Sequence, residues 1–380
     1  MGLFPLLHKL QKLVNQVKWV FWIILFVLIR LVQNFPEYIS QFYSQGLFKW
    51  MTLGMRQVVA KVPFSLGEWV YILLIIVLIV NMIKNFIKIK NKFSGRTLWK
   101  QILLQLLFKS LQFYVVFQLI WGLNYHQSSP AQQFRLQVNS TYSEEELDRY
   151  SLALIEQMNH ARANIQDSQF KNKADSLSLV IEKVKRAYDQ VARVYPFLHY
   201  PAPNVKLSPF PNWGDRFGYL AFYQPITSEA IIRADLPILL QPYTVAHEIA
   251  HQLGYASETE ANFIAYLVCG LSNEAILKYA MQLQMFTYCQ EEALLKIAKR
   301  GDFAQWKKIV ERNKAAMSPQ VLKDRLEIKQ FFRAHQGKMI PGSTVLYDQF
   351  LQWNKQARGI DSYNDVLLWA MAFEKKKNNP

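Results

Sequence analysis

The hydrophobic positions of this chain fall into two regimes. Before Tyr125 they form long, nearly unbroken runs; after it they recur at helical spacing among charged residues, with one short interval of strand-like sequence. Three runs dominate the first regime: Trp19 to Val32, Trp69 to Ile83 and Ile102 to Leu123. A spanning helix needs about 20 mostly apolar residues, so residues 1–123 read as a membrane region with three N-terminal transmembrane helices at about 19–33, 69–83 and 102–123. The second run is the plainest, with Glu68 at its edge. The first is short and carries Arg30, which can snorkel from a helix end. The third places Gln105, Lys109 and Gln112 on one helical face at i, i+4 and i+7. That stripe suits a face turned to the other two helices, or an amphipathic helix lying on the membrane. Between the first two runs, Tyr38 to Val62 is amphipathic and aromatic, with Phe42, Leu47, Phe48 and Trp50. It reads as an interfacial helix, before Pro63-Phe64-Ser65-Leu66-Gly67 breaks the chain.

In the second regime, residues 124–142 are polar and turn-rich and read as a linker out of the membrane. A helix begins at Ser143, a cap followed by three acids in the first turn. Another runs from about Ala174 to Val194. Val205-Lys206-Leu207, Phe217 to Tyr223 and Glu229 to Arg233 read as three short strands, the last two joined by a Gln-Pro-Ile-Thr-Ser turn. From Pro242 onward the pattern is helical, apart from a break at Pro341-Gly342. Strands followed by helices predict an α+β fold for residues 143–380.

Charge refines this picture. The formal net charge is +16, which invites a nucleic-acid reading. Residues 1–123, however, hold 14 Lys and Arg against only Glu37 and Glu68, while the remainder holds 30 against 26 acids. The basic excess belongs to the membrane region, and no basic stripe marks the folded part, so no nucleic-acid partner is expected. Lys9, Lys12 and Lys18 precede the first run; Lys84, Lys88, Lys90, Lys92, Arg96 and Lys100 lie between the second and third. The positive-inside rule places both segments in the cytoplasm. Three crossings then put everything after Tyr125 outside it, on a multi-pass protein of the cell membrane. If the third run does not cross, that part lies inside. A signal peptide is the rival reading of the first run, but no small-x-small cleavage site follows Val32. Two cysteines, Cys269 and Cys289, make neither a disulfide framework nor a CxxC metal motif.

The chemistry concentrates in Tyr243 to Gly254, which contains His247-Glu248-Ile249-Ala250-His251. On a helix His247 and His251 share one face and can hold one Zn²⁺. Glu248 lies beside that face, placed as general base toward a water rather than as a ligand. The bland alternative, a helix turning its polar side to solvent, fits poorly with the apolar residues around it. Gly254 can end the helix in a left-handed conformation. Ser257-Glu258-Thr259-Glu260 then opens a new helix as an S-x-x-E capping box. That second helix can return a carboxylate to the imidazoles, completing the three protein ligands usual for catalytic zinc.

HEIAHQLG followed by E-x-x-A-N resembles the zincin metallopeptidases, and among them the gluzincin type. The resemblance is close over about residues 243–268. Three crossings followed by such a domain also resemble, loosely and over most of the chain, an uncharacterised family of bacterial membrane zincins. Carried over residue by residue, it implies His247, His251 and Glu258 as metal ligands, Glu248 as the catalytic base and Asn262 in the supporting Asp or Asn position. It also implies a peptide or protein substrate. The chain departs from the gluzincin pattern in having only six residues between His251 and Glu258. The H-x-x-G spacing is instead similar to metzincins, whose third ligand would fall on Ser257, a poor donor. Glu260 is the rival carboxylate, although the capping box gives it a structural task. In zincins an edge strand beside the metal helix pairs with extended substrate, which makes Leu220-Ala221-Phe222 a candidate; an internal packing strand is the alternative. Tyr223, Tyr255 and Tyr347 are candidate oxyanion donors. A non-catalytic membrane or envelope scaffold with a zinc-stabilised domain is the competing function class, and a transporter is disfavoured by the lack of paired repeats.

Overall fold

The computed structural model describes residues 3–139, 141–166, 173–335, 339 and 363–378. Helix α1 (Leu3–Val32) turns at Gln33 to Phe35 into α2 (Pro36–Val59), whose central stretch Ile39–Phe48 is wound as a π-helix. The two meet at 104°. Helices α3 (Gly67–Lys92) and α4 (Gly95–Ile120) are each long and apolar enough to cross a membrane, and the bent α1–α2 pair meets the same length and composition criterion when taken together. The three separate runs therefore resolve into two plain candidate spans and a bent pair.

Helix α1 runs parallel to α4 along its apolar length. Trp19 meets Phe108 (ring centroids 4.6 Å), Phe26 meets Tyr114 (5.3 Å) and the Gln33 amide donates to Gln118 Oε1 (3.1 Å). The polar stripe of α4 takes no part in this seam. Gln105 and Lys109 are exposed, and Lys109 donates to Gln112 (3.1 Å). The seam is built instead from large aromatic and apolar side chains, whose contact area supplies dispersion attraction. Helix α2 is two-faced: Ile39, Tyr43, Phe48 and Val59 are buried, whereas Tyr38, Phe42, Leu47, Trp50 and Val58 are exposed.

Beyond α4 the described residues are mostly helical, with one small sheet, in keeping with the α+β expectation. Helix α5 (Glu144–Ala163) opens with a formed capping box: Glu146 N–H donates to Ser143 Oγ (3.1 Å) and Ser143 N–H to Glu146 (2.8 Å). Helix α6 (Lys173–Ala192) follows. Strands β1 (Val205–Leu207), β2 (Ala221–Gln224) and β3 (Glu229–Ile232) form a sheet in the order β1-β3-β2, with β1 parallel and β2 antiparallel to β3. The expected start of β2 at Phe217 is displaced by a short helix, α7 (Pro211–Phe217), which ends at Gly218 with φ +77°. Proline at its first turn and glycine at its end are the start and stop signals of a helix.

Helices α8 (Gln241–Gln252), α9 (Glu258–Leu271), α10 (Ala275–Arg300), α11 (Phe303–Ala316), α12 (Pro319–His335) and α13 (Tyr363–Asn378) complete the fold. Helix α9 is its axis: every residue from Thr259 to Cys269 is buried. Cys269 and Cys289 are buried free thiols.

The sheet is moored to the apolar N-terminal helices by a buried polar network. The Glu229 carboxylate, fully enclosed, accepts from the backbone N–H groups of Leu66 (3.1 Å) and Gly67 (2.5 Å) and pairs with Lys206 (2.8 Å). It thereby caps the N-terminus of α3, where unpaired N–H groups and the helix dipole favour a negative charge. Lys206 also donates to the carbonyls of Val59 (2.8 Å) and Phe64 (3.1 Å), and Ser208 donates to Glu68 (2.6 Å).

Candidate metal centre

Proline at the first turn of α8 pre-sets the helical φ, and nothing in its interior breaks the helix. His247 and His251 stand one turn apart, with ring centroids 4.7 Å from each other. The chain leaves α8 through Gly254 at φ +97°. A Cβ there would lie 3.1 Å from Asn124 Oδ1 and 3.3 Å from the Phe48 ring, so the positive φ favours glycine and the close approach adds to that preference. The turn lets α9 start at Glu258 and pack against α8.

Glu258, the first residue of α9, therefore faces the two imidazoles. Its carboxylate oxygens lie 3.1 Å from His247 Nε2 and 3.8 Å from His251 Nε2. Glu260 does not join them: two positions further on, it has rotated by roughly 200° about the helix. It is buried elsewhere, one carboxylate oxygen lacks a hydrogen-bond partner, and burial pushes its carboxyl up to about 8. It makes half of the expected capping box, accepting from the Ser257 N–H, while the Ser257 side chain caps nothing. Ser257 lies at the cap position, so the metzincin-like ligand position is not filled by a carboxylate or imidazole.

Each imidazole is oriented from behind. His247 Nδ1 lies 2.8 Å from Asn262 Oδ1, and His251 Nδ1 lies 2.7 Å from the Tyr255 carbonyl. A carbonyl oxygen only accepts, so Nδ1 of His251 carries the proton and its Nε2 lone pair points at Glu258. Burial pulls His251 down to about 4, keeping it neutral. Burial acts the same way on His247, but Glu258 and Glu248 outweigh it and hold that ring above its ordinary value. The two imidazoles thus differ: one is held neutral, and the other is drawn toward the charged form by the adjacent carboxylates.

Glu248 is almost fully enclosed, and one of its oxygens has no hydrogen-bond partner among the described residues. Burial, with a smaller contribution from Glu258, lifts its carboxyl to about 8, against the pull of His247. The three donors His247, His251 and Glu258 lie within 4.8 Å of one another and form the one such cluster among the described residues. Ligands of tetrahedral zinc, at about 2.0–2.1 Å from the ion, stand roughly 3.3 Å apart. The donor set, the tautomer of His251 and the unpartnered Glu248 oxygen all fit such an ion.

One wall of the site comes from the residues just after α4, which the sequence motif does not announce. The Trp121 ring lies 6.0 Å from His251 and 4.8 Å from Tyr223; Tyr223 stacks 6.5 Å from His251. Residues 124–142, expected as a linker, pack closely in their first half. Asn124 and His126 are buried, Gln127 donates to the Gly254 carbonyl (2.7 Å), and Gln133 accepts from the Tyr255 hydroxyl (2.9 Å). Tyr125 faces the same carboxylates: burial and the charges of Glu258 and Glu260 hold its phenol above the ordinary range. The only hint in the sequence is the aromatic pair Trp121 and Tyr125 just past the third apolar run. Of the proposed oxyanion donors, Tyr255 is engaged with Gln133, Tyr223 lies 3.4 Å from Ser228 Oγ, and Tyr347 lies outside the described residues.

Strand β2 has β3 on one side and no other strand among the described residues. The Arg233 N–H donates to the Leu220 carbonyl (3.2 Å), and Ala221 stands opposite Ile232. In an antiparallel ladder this makes Ala221 a residue whose own N–H and C=O face away from β3.

No curated protein and no solved structure is matched by the chain. Residues 43–371 match the model of the family described as "Protein of unknown function (DUF3810)", and the chain belongs to that family.

Proposed function

We propose that the chain is a membrane-anchored zinc-dependent hydrolase that cleaves peptide bonds, a zincin of the gluzincin type. The observation that carries this reading is the meeting of His247, His251 and Glu258 beside the buried carboxylate of Glu248, one oxygen of which has no hydrogen-bond partner among the described residues. His247, His251 and Glu258 would hold the ion, each imidazole fixed in orientation by the partner of its Nδ1. Bound zinc would polarise the scissile carbonyl and make a water nucleophilic at neutral pH. Glu248 would accept a proton from the attacking water and pass it to the departing amine. Extended substrate lies along the outer edge of β2, where Ala221 offers an N–H and a C=O.

Three crossings, counting α1 as a span beside α4, put the cytoplasm at the basic N-terminus and the basic α3–α4 turn. The metal centre then lies on the opposite, extracytoplasmic face of a cell membrane.

The test is metal content and turnover in the purified protein. One zinc per chain is expected, and Glu248→Gln should keep the metal while losing hydrolysis of a peptide library. Protein that takes up no zinc sinks the reading. Stoichiometric zinc, with no Glu248-dependent hydrolysis and no phenotype for Glu248→Gln, would favour a zinc-stabilised scaffold.

A further inference from the structure

We infer that the substrate is a polypeptide tethered to the membrane and cut within a few residues of the bilayer surface. The inference deepens the peptidase reading and rests on it. Its basis is the place of the metal centre relative to the ends of the candidate spans.

Two independent contacts fix that place. On one side, α4 ends at Ile120 and the next residue, Trp121, puts its ring 6.0 Å from a proposed zinc ligand, His251. The apolar length from Ile102 to Ile120 measures about 28 Å at 1.5 Å per residue, close to the ~30 Å hydrocarbon core. Ile120 therefore marks the edge of that core. On the other side, α3 begins at Gly67 directly against the substrate-binding hairpin. A Cβ on Gly67 would meet the Gln224 side chain at 2.7 Å, and Glu229 accepts the Gly67 N–H. Gln224 closes β2 and Glu229 opens β3. Both spans thus end on the β2–β3 hairpin, and Tyr223 of β2 is in ring contact with Trp121 (4.8 Å).

Helix α2 fixes the same level from a third direction. Its inner residue Phe48 packs on Gly254, the turn that joins the two ligand-bearing helices. Its outer face presents Tyr38, Phe42 and Trp50, with Trp50 70% exposed. An aromatic, amphipathic helix bent 104° away from a membrane helix lies in the headgroup zone. That zone is only about 5–7 Å deep on each side of the core. The metal centre is one helix thickness, roughly 10 Å, from this surface. A strand laid along β2 runs beside the ends of two spans, so its own membrane anchor lies only a few residues away.

The experiment uses the full-length, zinc-loaded protein in phosphatidylcholine–phosphatidylglycerol vesicles. Reporter peptides carry one cleavable segment, separated from a single transmembrane anchor by a spacer of about 4, 12 or 25 residues. Four extended residues reach about 13 Å, and 12 reach about 40 Å. Cleavage at the shortest spacer, at a rate equal to or above that at the longest, is expected. Cleavage that starts only at 12 residues or more, or of untethered peptide alone, overturns the inference. A second readout needs no turnover. A nitroxide on Ser257→Cys, with Cys269 and Cys289 buried, should lie within about 10 Å of the phosphate level by its relative collisions with oxygen and a water-soluble nickel chelate. A fully aqueous label overturns the placement. If no reporter is cut while the label lies at that level, the peptidase reading fails and the placement stands.

Discussion

Asn262 Oδ1 stands 2.8 Å from His247 Nδ1, reaching the candidate ligand from the second turn of the neighbouring helix. The contact fixes the ring's orientation and directs Nε2 at Glu258. Partners of this kind are worth about 10–100-fold in metal affinity. Asn262→Ala should weaken zinc binding by that factor in competition with a chromophoric chelator, and Asn262→Asp should restore most of it. An unchanged affinity in Asn262→Ala would show that the contact does not support a ligand.

The two carboxylates at the start of α9 have different tasks. Glu258→Ala should reduce bound zinc well below one per chain in metal analysis. Glu260→Gln should leave it at one, because that side chain is buried away from the imidazoles. Retention of full zinc by Glu258→Ala, with loss in Glu260→Gln, would reverse the assignment.

Gly254 is favoured by its φ of +97° and by the nearness of Asn124 and Phe48. Gly254→Ala should cost about 1–3 kcal/mol, the usual toll of a strained backbone position. A thiol-reactive dye is a convenient probe, since Cys269 and Cys289 become accessible only on opening. Unaltered unfolding in that assay would contradict the packing described for this turn.

Glu229→Ala removes the cap of α3 and leaves the enclosed Lys206 ammonium without its carboxylate. Breaking a buried pair on one side costs about 3–5 kcal/mol. The midpoint of thermal unfolding in detergent should drop well below that of Glu144→Gln, a variant that loses only an exposed pair with Arg300. Equal midpoints would mean that the mooring contributes nothing.

Glu274 precedes α10 and binds Lys183 and Arg186 of α6, the latter at 2.9 Å. Burial by itself would raise its carboxyl; the two cations more than offset this and hold it below the ordinary value of 4.5. A depressed carboxyl stabilises the fold above its unfolded pKa, and that contribution is lost as pH falls through the folded value. Glu274→Gln should therefore be less stable than the parent protein at pH 7, with the gap closing below about pH 4. A gap that stays constant down to pH 3 would exclude the ionic contribution.

Much of this molecule is decided by local rules and is legible in the chain. Four-residue spacing puts His247 and His251 on one helix face whatever surrounds them. Gly254 is the residue that turns there, Ser143 and Glu146 form their cap, and β1 and β3 fall where short apolar strands are expected. Length and apolarity mark α3 and α4 as candidate spans. Tertiary structure decided the rest. Glu258 and Glu260 both sit in the first turn of α9, and only the packing of that helix on α8 selects which one meets the imidazoles. The edge position of β2 among the described residues depends on strand order, which no single strand encodes. The wall built by Trp121 and Gln127 joins residues such as Gln127 and Gly254, 127 positions apart in the chain. Contacts at such separations are set by how the helices and sheet stack, and periodicity along the chain reaches only a few residues.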